Sequence, residues 1–196
     1  MRIAFCIYKY FPFGGLQRDF FRVASEVSSR GHYVRVYVRE WTGEKPNNFD
    51  IVEVPTHSLS NNGKNSEYYN WVCDHLKNNP VDRVVGFNRM PGLDVYFTGD
   101  VCYAEKTKSK NFFYKLTSRY RHFISFEQAV FNKGLATKIL VLTESRKLEI
   151  QKHYHTEDER FYLLPPGIDI DRKYDKQPQD CREKFREEFA LKNEQK

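Results

Sequence analysis

Short apolar runs alternate along this chain with segments whose apolar residues recur at helical spacing. Residues 3–8 read as a buried strand, broken by Pro12 and the pair Gly14-Gly15. Residues 18–30 then carry Phe20, Phe21, Val23, Ala24 and Val27 at helical spacing, and Gly31 ends the helix. Residues 33–38 and 51–54 read as strands, the second closed by Pro55. The stretch 68–76 reads as a helix ending before Pro80, and 83–87, 95–98 and 138–142 read as further buried strands. Thr143 is a suitable N-cap for a helix over 144–154, and 162–168 is a short strand running into Pro165-Pro166-Gly167. The polar segments 41–48 and 58–66 read as surface loops. Residues 182–191 could form a charged helix with little to pack against.

Strands alternating with helices predict an α/β domain with a mostly parallel, doubly wound, Rossmann-like sheet covered on both faces. The domain is expected over residues 1–170, with 171–196 a linker or helix. Ligands of such sheets sit outside the carboxyl ends of the strands. Three separate segments fall at that edge: Gly14-Gly15, residues 88–92, and Asp100 beside Gly99. Bare N–H groups at Gly14 and Gly15 suit a phosphate or diphosphate; a turn that needs positive φ is the competing reading. The pattern is not G-x-G-x-x-G, which weakens a dinucleotide assignment. Glu40 follows the second strand, where the ribose-binding acid of an NAD-dependent oxidoreductase would sit, and this alternative stays open. Asp100 is a candidate to orient a hydroxyl or relieve it of its proton; otherwise it caps a turn. Asp19 is either a helix-start acid or a substrate contact.

Composition narrows the class. The net charge is +6, and there are 16 Phe and 13 Tyr, more rings than a core of this size needs. The four cysteines form no C-x-x-C pair and no zinc spacing, which points to thiols in a reducing compartment and to no metal. No signal peptide and no membrane-spanning run is expected. Much of the charge excess gathers in one place. Between residues 103 and 122 stand Lys106, Lys108, Lys110, Lys115, Arg119 and Arg121 against Glu105 alone, interleaved with Phe112, Phe113, Tyr114 and Tyr120. Projected as a helix, the stretch from Phe112 to Phe131 has one aromatic and aliphatic face and one basic face. An anionic membrane surface attracts such a segment. Covering the sheet is the other use of that face, and Glu127, which falls within it, suggests a buried partner or cap for the C-terminal half. Nucleic acid would also take basic residues and rings, but no binding motif accompanies them.

The longer motifs carry a resemblance. Lys9-Tyr-Phe-Pro-Phe-Gly-Gly-Leu-Gln-Arg-Asp19, Val85-Gly-Phe-Asn-Arg-Met-Pro-Gly-Leu-Asp94, Leu116-Thr-Ser-Arg-Tyr-Arg-His122, Thr137-Lys-Ile-Leu-Val-Leu-Thr-Glu-Ser145 and Leu163-Leu-Pro-Pro-Gly-Ile-Asp169 resemble the N-terminal domain of family 4 glycosyltransferases with a GT-B fold. Within them the resemblance is to lipopolysaccharide core glucosyltransferases. It implies a retaining transfer of glucose from UDP-glucose to an inner-core heptose of lipopolysaccharide, with no metal and no cofactor beyond the sugar nucleotide. It implies Gly14, Gly15 and Arg172 beside the donor diphosphate, with Lys173 next to Arg172 at the expected hinge; a solvated linker is the other reading of that pair. It implies Asp100 near the transferred sugar, and a second, donor-binding domain that this sequence lacks. The expected setting is the cytoplasmic face of the inner membrane, with the chain inactive alone. A non-catalytic module for membrane surfaces is the principal alternative.

Overall fold

The computed structural model of the chain describes residues 1–164 and 178–189. It divides into two units, Met1–Pro165 and Pro166–Lys196. In the second unit, residues 178–188 form a helix, and Phe185 lies 4.6 Å from Phe189, ring centroid to centroid. All that follows concerns the first.

Its elements in chain order are β1 (Arg2–Cys6), β2 (Lys9–Tyr10), α1 (Gly15–Ser29), β3 (Tyr33–Val38), β4 (Glu40–Trp41), β5 (Phe49–Glu53), α2 (Asn61–Asn78), β6 (Arg83–Gly86), β7 (Val95–Phe97), α3 (Tyr103–Lys106), α4 (Phe112–Lys115), α5 (Ser118–Phe131), β8 (Lys138–Val141), α6 (Glu144–Tyr154) and β9 (Phe161–Leu163). Seven of the strands form one sheet in the order β5-β3-β1-β6-β7-β8-β9, and every pairing in it is parallel. The chain thus has the α/β, Rossmann-like architecture that the alternation of its elements predicts.

Parallel strands of this kind are buried on both faces, and the period-2 geometry of β1 and β3 divides their side chains between two cores. Phe5, Ile7, Val34, Val36 and Val38 point with Phe87 and Phe97 toward α1, where Phe20 and Ala24 meet them. Ala4, Cys6 and Tyr37 point the other way with Tyr96, Ile139 and Val141, toward Tyr68, Val72, Val130, Phe131, Ile150 and Tyr154 on α2, α5 and α6. Burial pushes the Cys6 thiol up to about 12, so it is an inert core group. Gly31, at φ +81°, lets the chain leave α1 and enter β3, a backbone conformation that other residues adopt only with strain.

Three expectations are corrected. Residues 61–66 open α2 instead of forming loop, because the Ser60 side chain caps the helix at the Gly63 N–H and Asn65 and Tyr68 are buried along it. Trp41 leaves the expected loop to form β4, paired in parallel with β2 and stacked on Tyr10 at 3.9 Å. The segment 103–133 is not one helix. It breaks between α3 and α4 and again at Thr117, whose hydroxyl accepts the Tyr120 N–H and starts α5 afresh. A helical projection from Phe112 to Phe131 runs through the second break and therefore mixes faces. The expected division of the segment survives: Glu127, Val130 and Phe131 are buried, while Phe112 and Phe113 are 69% and 78% exposed. At the far end of α5, Arg160 donates to the carbonyls of Val130, Asn132 and Thr137, giving the helix terminus the donors it lacks.

Phe20 is fully buried, with Phe5, Tyr10, Trp41 and Phe87 around its ring at centroid distances of 5.5 to 6.3 Å. Phe20→Ala is expected to cost about 3–5 kcal/mol of stability, read as a lowered midpoint in urea denaturation at unchanged slope.

Candidate functional site

The carboxyl ends of β1, β3, β6 and β7 open onto one rim, and three of the segments expected there meet on it. Gly14 is the N-cap of α1 and Gly15 its first residue. Gly14 has φ −80° and Gly15 is helical, so the reading of the pair as a positive-φ turn fails. A Cβ at Gly14 would collide with the Gln17 side chain and the Phe11 ring, so glycine there serves close packing. A Cβ at Gly15 would meet nothing within 4 Å. Neither packing nor backbone conformation asks for glycine at that position. No side chain caps the helix start, and no acid lies in its first turn. The N–H groups there carry the positive end of the helix dipole.

Asp100 is exposed in the loop that follows β7. That loop reaches α1 through Gly99, whose Cβ position is 2.4 Å from Leu16 Cδ1; only glycine lets Leu16 lie against it. The glycine start of α1 and the loop bearing Asp100 are therefore in contact.

A network below the rim holds this loop. Arg89 follows β6, and its guanidinium donates to the Tyr96 hydroxyl at 3.1 Å, to the Val101 carbonyl at 2.5 Å, and to the fully buried Glu127 carboxylate. Glu127 in turn accepts the backbone N–H groups of Tyr103 and Ala104 at 2.7 and 2.9 Å and the Tyr154 hydroxyl at 2.5 Å. The carboxylate thus caps α3 from α5 and binds the loop at its far end. Burial opposes the charge of Arg89, but Tyr96 and Glu127 hold its pKa above the ordinary arginine value. Burial pushes the Tyr96 phenol up to about 12, so it stays a neutral acceptor and donor. On the neighbouring strand end, Asn88 Oδ1 accepts the Tyr8 N–H at 2.7 Å, and the Tyr8 hydroxyl donates to the Arg89 carbonyl at 3.3 Å. Asp100 is near enough to act electrostatically on Tyr8, Arg89 and Tyr96.

The other candidates separate. Asp19 is in the second turn of α1, beyond the first turn where the dipole would favour an acid. It is half-buried, and burial raises its pKa against the pull of Arg22 and Arg18. Glu40 is exposed and pairs with Lys9 at 2.5 Å across the β2–β4 pair. Arg172 and Lys173 lie outside the described residues. Lys106, Lys108, Lys110, Phe112, Phe113, Arg119 and Arg121 are exposed, and Lys115 is half-buried. Some of this basic charge rests on rings: Lys110 lies 5.9 Å from the Tyr114 ring and Arg119 5.3 Å from Phe123. Among the described residues no helix is long and apolar enough to cross a membrane, and no three His, Cys, Asp or Glu are grouped to hold a metal ion. Sequence reasoning placed residues 88–92 at the rim without singling out Arg89, and it missed Tyr8 and Tyr96. A charged residue set between an apolar strand and the next turn, as Arg89 is, was the available signal.

No family model matches the chain. Over its whole length it is 57% identical to the lipopolysaccharide glucosyltransferase WaaG of Escherichia coli (strain K12), and it spans about half (52%) of that relative. The crystal structure of a WaaG, a glycosyltransferase involved in lipopolysaccharide biosynthesis, superposes with a TM-score of 0.90 at 57% identity, over 98% of this chain and 52% of the other. Sucrose-phosphate synthase of Thermosynechococcus elongatus, at 9% identity, covers 98% of the chain and 53% of its own length with a TM-score of 0.63. Anabaena HepE in complex with UDP and glucose, at 14% identity, covers 97% and 50% with a TM-score of 0.58. These last two share the fold alone.

The raised pKa of Asp19 has a consequence for stability. The folded state holds the Asp19 proton more tightly than the unfolded chain does, so stability falls as pH rises from the ordinary carboxylate value through the raised one. Asp19→Asn is expected to raise the melting temperature at pH 7, with the gain shrinking toward pH 3; calorimetric scans across that range check it. By sequence and by fold, the chain matches one Rossmann-like half of a GT-B glycosyltransferase akin to WaaG.

Proposed function

We propose that this chain is the N-terminal, acceptor-side half of a retaining glycosyltransferase that moves glucose from UDP-glucose to an inner-core heptose of lipopolysaccharide. The observation that carries the reading is the 57% identity to the lipopolysaccharide glucosyltransferase WaaG over all 196 residues of the chain. Activity then requires the other lobe of such an enzyme, and the chain alone is inactive.

The geometry supports a division of labour. The donor diphosphate lies toward the first turn of α1, where no side chain intervenes at Gly15 and the amide dipoles oppose its charge as it leaves. Arg172, the further diphosphate contact that the resemblance implies, lies outside the described residues. The reading calls for no metal. Asp100 orients the acceptor hydroxyl. In a front-face transfer the bond from the anomeric carbon to the diphosphate oxygen breaks while the bond to the acceptor oxygen forms on the same face. The leaving phosphate takes the hydroxyl proton, and configuration is retained. Asp19, destabilised by its own burial, fits a contact to a sugar hydroxyl better than a helix-start role.

Attachment to the cytoplasmic leaflet of the inner membrane belongs to the same reading, since the acceptor is lipid-anchored. Phe112 and Phe113 stand exposed on the short helix α4, and Lys106, Lys108 and Lys110 are exposed in the stretch that leads to it. Each basic side chain near an anionic surface contributes on the order of 1 kcal/mol.

In the full-length protein, Asp100→Asn is expected to lower kcat for transfer from UDP-glucose to core-truncated lipopolysaccharide by about 100-fold, with little change in KM for the donor. Absence of transfer by the wild-type protein with any UDP-sugar would sink the assignment. Changing Lys106, Lys108 and Lys110 together to Glu should strongly reduce partitioning onto vesicles rich in anionic lipid, while binding to neutral vesicles stays low throughout; co-sedimentation reads both.

A further inference from the structure

Arg39 follows directly on β3, and its backbone N–H donates to the Tyr8 carbonyl at 3.0 Å, which fixes it on the rim beside the end of β1. Its guanidinium lies over the Tyr8 ring, 4.4 Å from the centroid, and donates to Asn65 Oδ1 on α2 at 3.1 Å. A guanidinium has five N–H donors. Among the described residues Asn65 is the one side-chain acceptor that Arg39 meets.

Among the described residues, no carboxylate forms an ion pair with this half-buried cation. The acid that acts on it is Glu40, and the Glu40 carboxylate is already held by Lys9 at 2.5 Å. Lys64, near the start of α2, acts on the same Glu40. Glu40 thus answers Lys9 directly and is shared at longer range with Arg39 and Lys64. A cation removed from water without an opposite charge is unfavourable, and burial lowers the pKa of Arg39 below the ordinary arginine value. Tyr8 joins this cation to the proposed reaction centre: one face of the ring carries Arg39, and its phenol feels Asp100.

We propose that Arg39, assisted by Lys64, binds an oxyanion, a phosphate or carboxylate, carried by the saccharide acceptor. The proposal rests on the glycosyltransferase reading. The guanidinium fork matches either group with two parallel hydrogen bonds, and Tyr8 keeps it oriented on the rim. An acceptor hydroxyl at Asp100 and an anionic substituent at Arg39 would fix the sugar at two points, which selects both the acceptor and its orientation.

The test uses the full-length protein, wild type, Arg39→Gln and Arg39→Lys, with lipopolysaccharide truncated to the inner core as acceptor. The acceptor is used untreated, phosphatase-treated, or with its carboxyls amidated. Calorimetry measures acceptor binding without donor, and transfer from UDP-glucose is measured in parallel. Arg39→Gln is expected to weaken binding of untreated acceptor by about tenfold or more. One of the two treatments should cause the same loss in the wild type, identifying the anion as phosphate or carboxylate. Arg39→Lys should recover part of the affinity, and KM for UDP-glucose should not move. Equal losses on all three acceptors would assign Arg39 to supporting Tyr8 and Asn65 and overturn the proposal. So would unchanged binding, or an effect confined to KM for UDP-glucose, which would give the cation to the donor diphosphate. A wild-type protein that transfers from no UDP-sugar refutes the enzymatic reading separately, because the binding comparison still decides what Arg39 holds.

Discussion

The loop that carries Asp100 depends on one buried carboxylate. Glu127 is wholly removed from water, and it accepts from Arg89, from two backbone N–H groups at the start of α3, and from Tyr154. Removing one partner of such a pair typically costs about 3–5 kcal/mol, because the other charge is left buried alone. The charge of Glu127 is matched, and its lone pairs are filled by donors from three elements. That satisfaction turns an expensive group into a rigid fastening. Arg89 spends its remaining donors on Tyr96 and the Val101 carbonyl, so both ends of the segment between β7 and α3 are tied to one point.

The rim inherits its shape from this fastening and from two glycines. Gly99 lets Leu16 of α1 press against the loop, and Gly14 makes room for Gln17 and Phe11. Gly15 differs from both, since among the described residues nothing occupies the place of its missing side chain. A helix start left uncapped, open on one side and in contact with a loop bearing an exposed carboxylate, is suited to receive an anionic group with a hydroxyl beside it. The basic aromatic segment is organised on the same principle. Its C-terminal part is anchored by Glu127, Val130 and Phe131, and its N-terminal part is broken into short helices that leave Phe112 and Phe113 exposed.

The sheet was legible in the sequence because its strands are apolar on both faces and separated by segments of helical period; β1, β3, β6, β7 and β8 lie where the runs at 3–8, 33–38, 83–87, 95–98 and 138–142 placed them. The rim was legible for a topological reason: in a parallel sheet, whatever follows a strand lies on the same edge. The start of α2 was not legible, since Asn61, Asn62 and Gly63 are poor helix formers in isolation. A Ser60 cap and the burial of Asn65 and Tyr68 override their propensity. The pairing of β2 with β4 was equally hidden, because two-residue strands carry no period.

What the sequence determined by itself was local and periodic: which segments are strands, which residues turn the chain, and where charge and rings gather. Gly14, Gly15 and Asp100 were named from it because glycines and strand ends leave marks within a few residues. The tertiary structure alone decided that Glu127 would answer Arg89, 38 positions away, and that Arg39 would lie on Tyr8 and meet Asn65. Those facts depend on which strand ends the crossovers bring side by side, and a linear pattern of polar and apolar residues does not encode distances across a folded sheet.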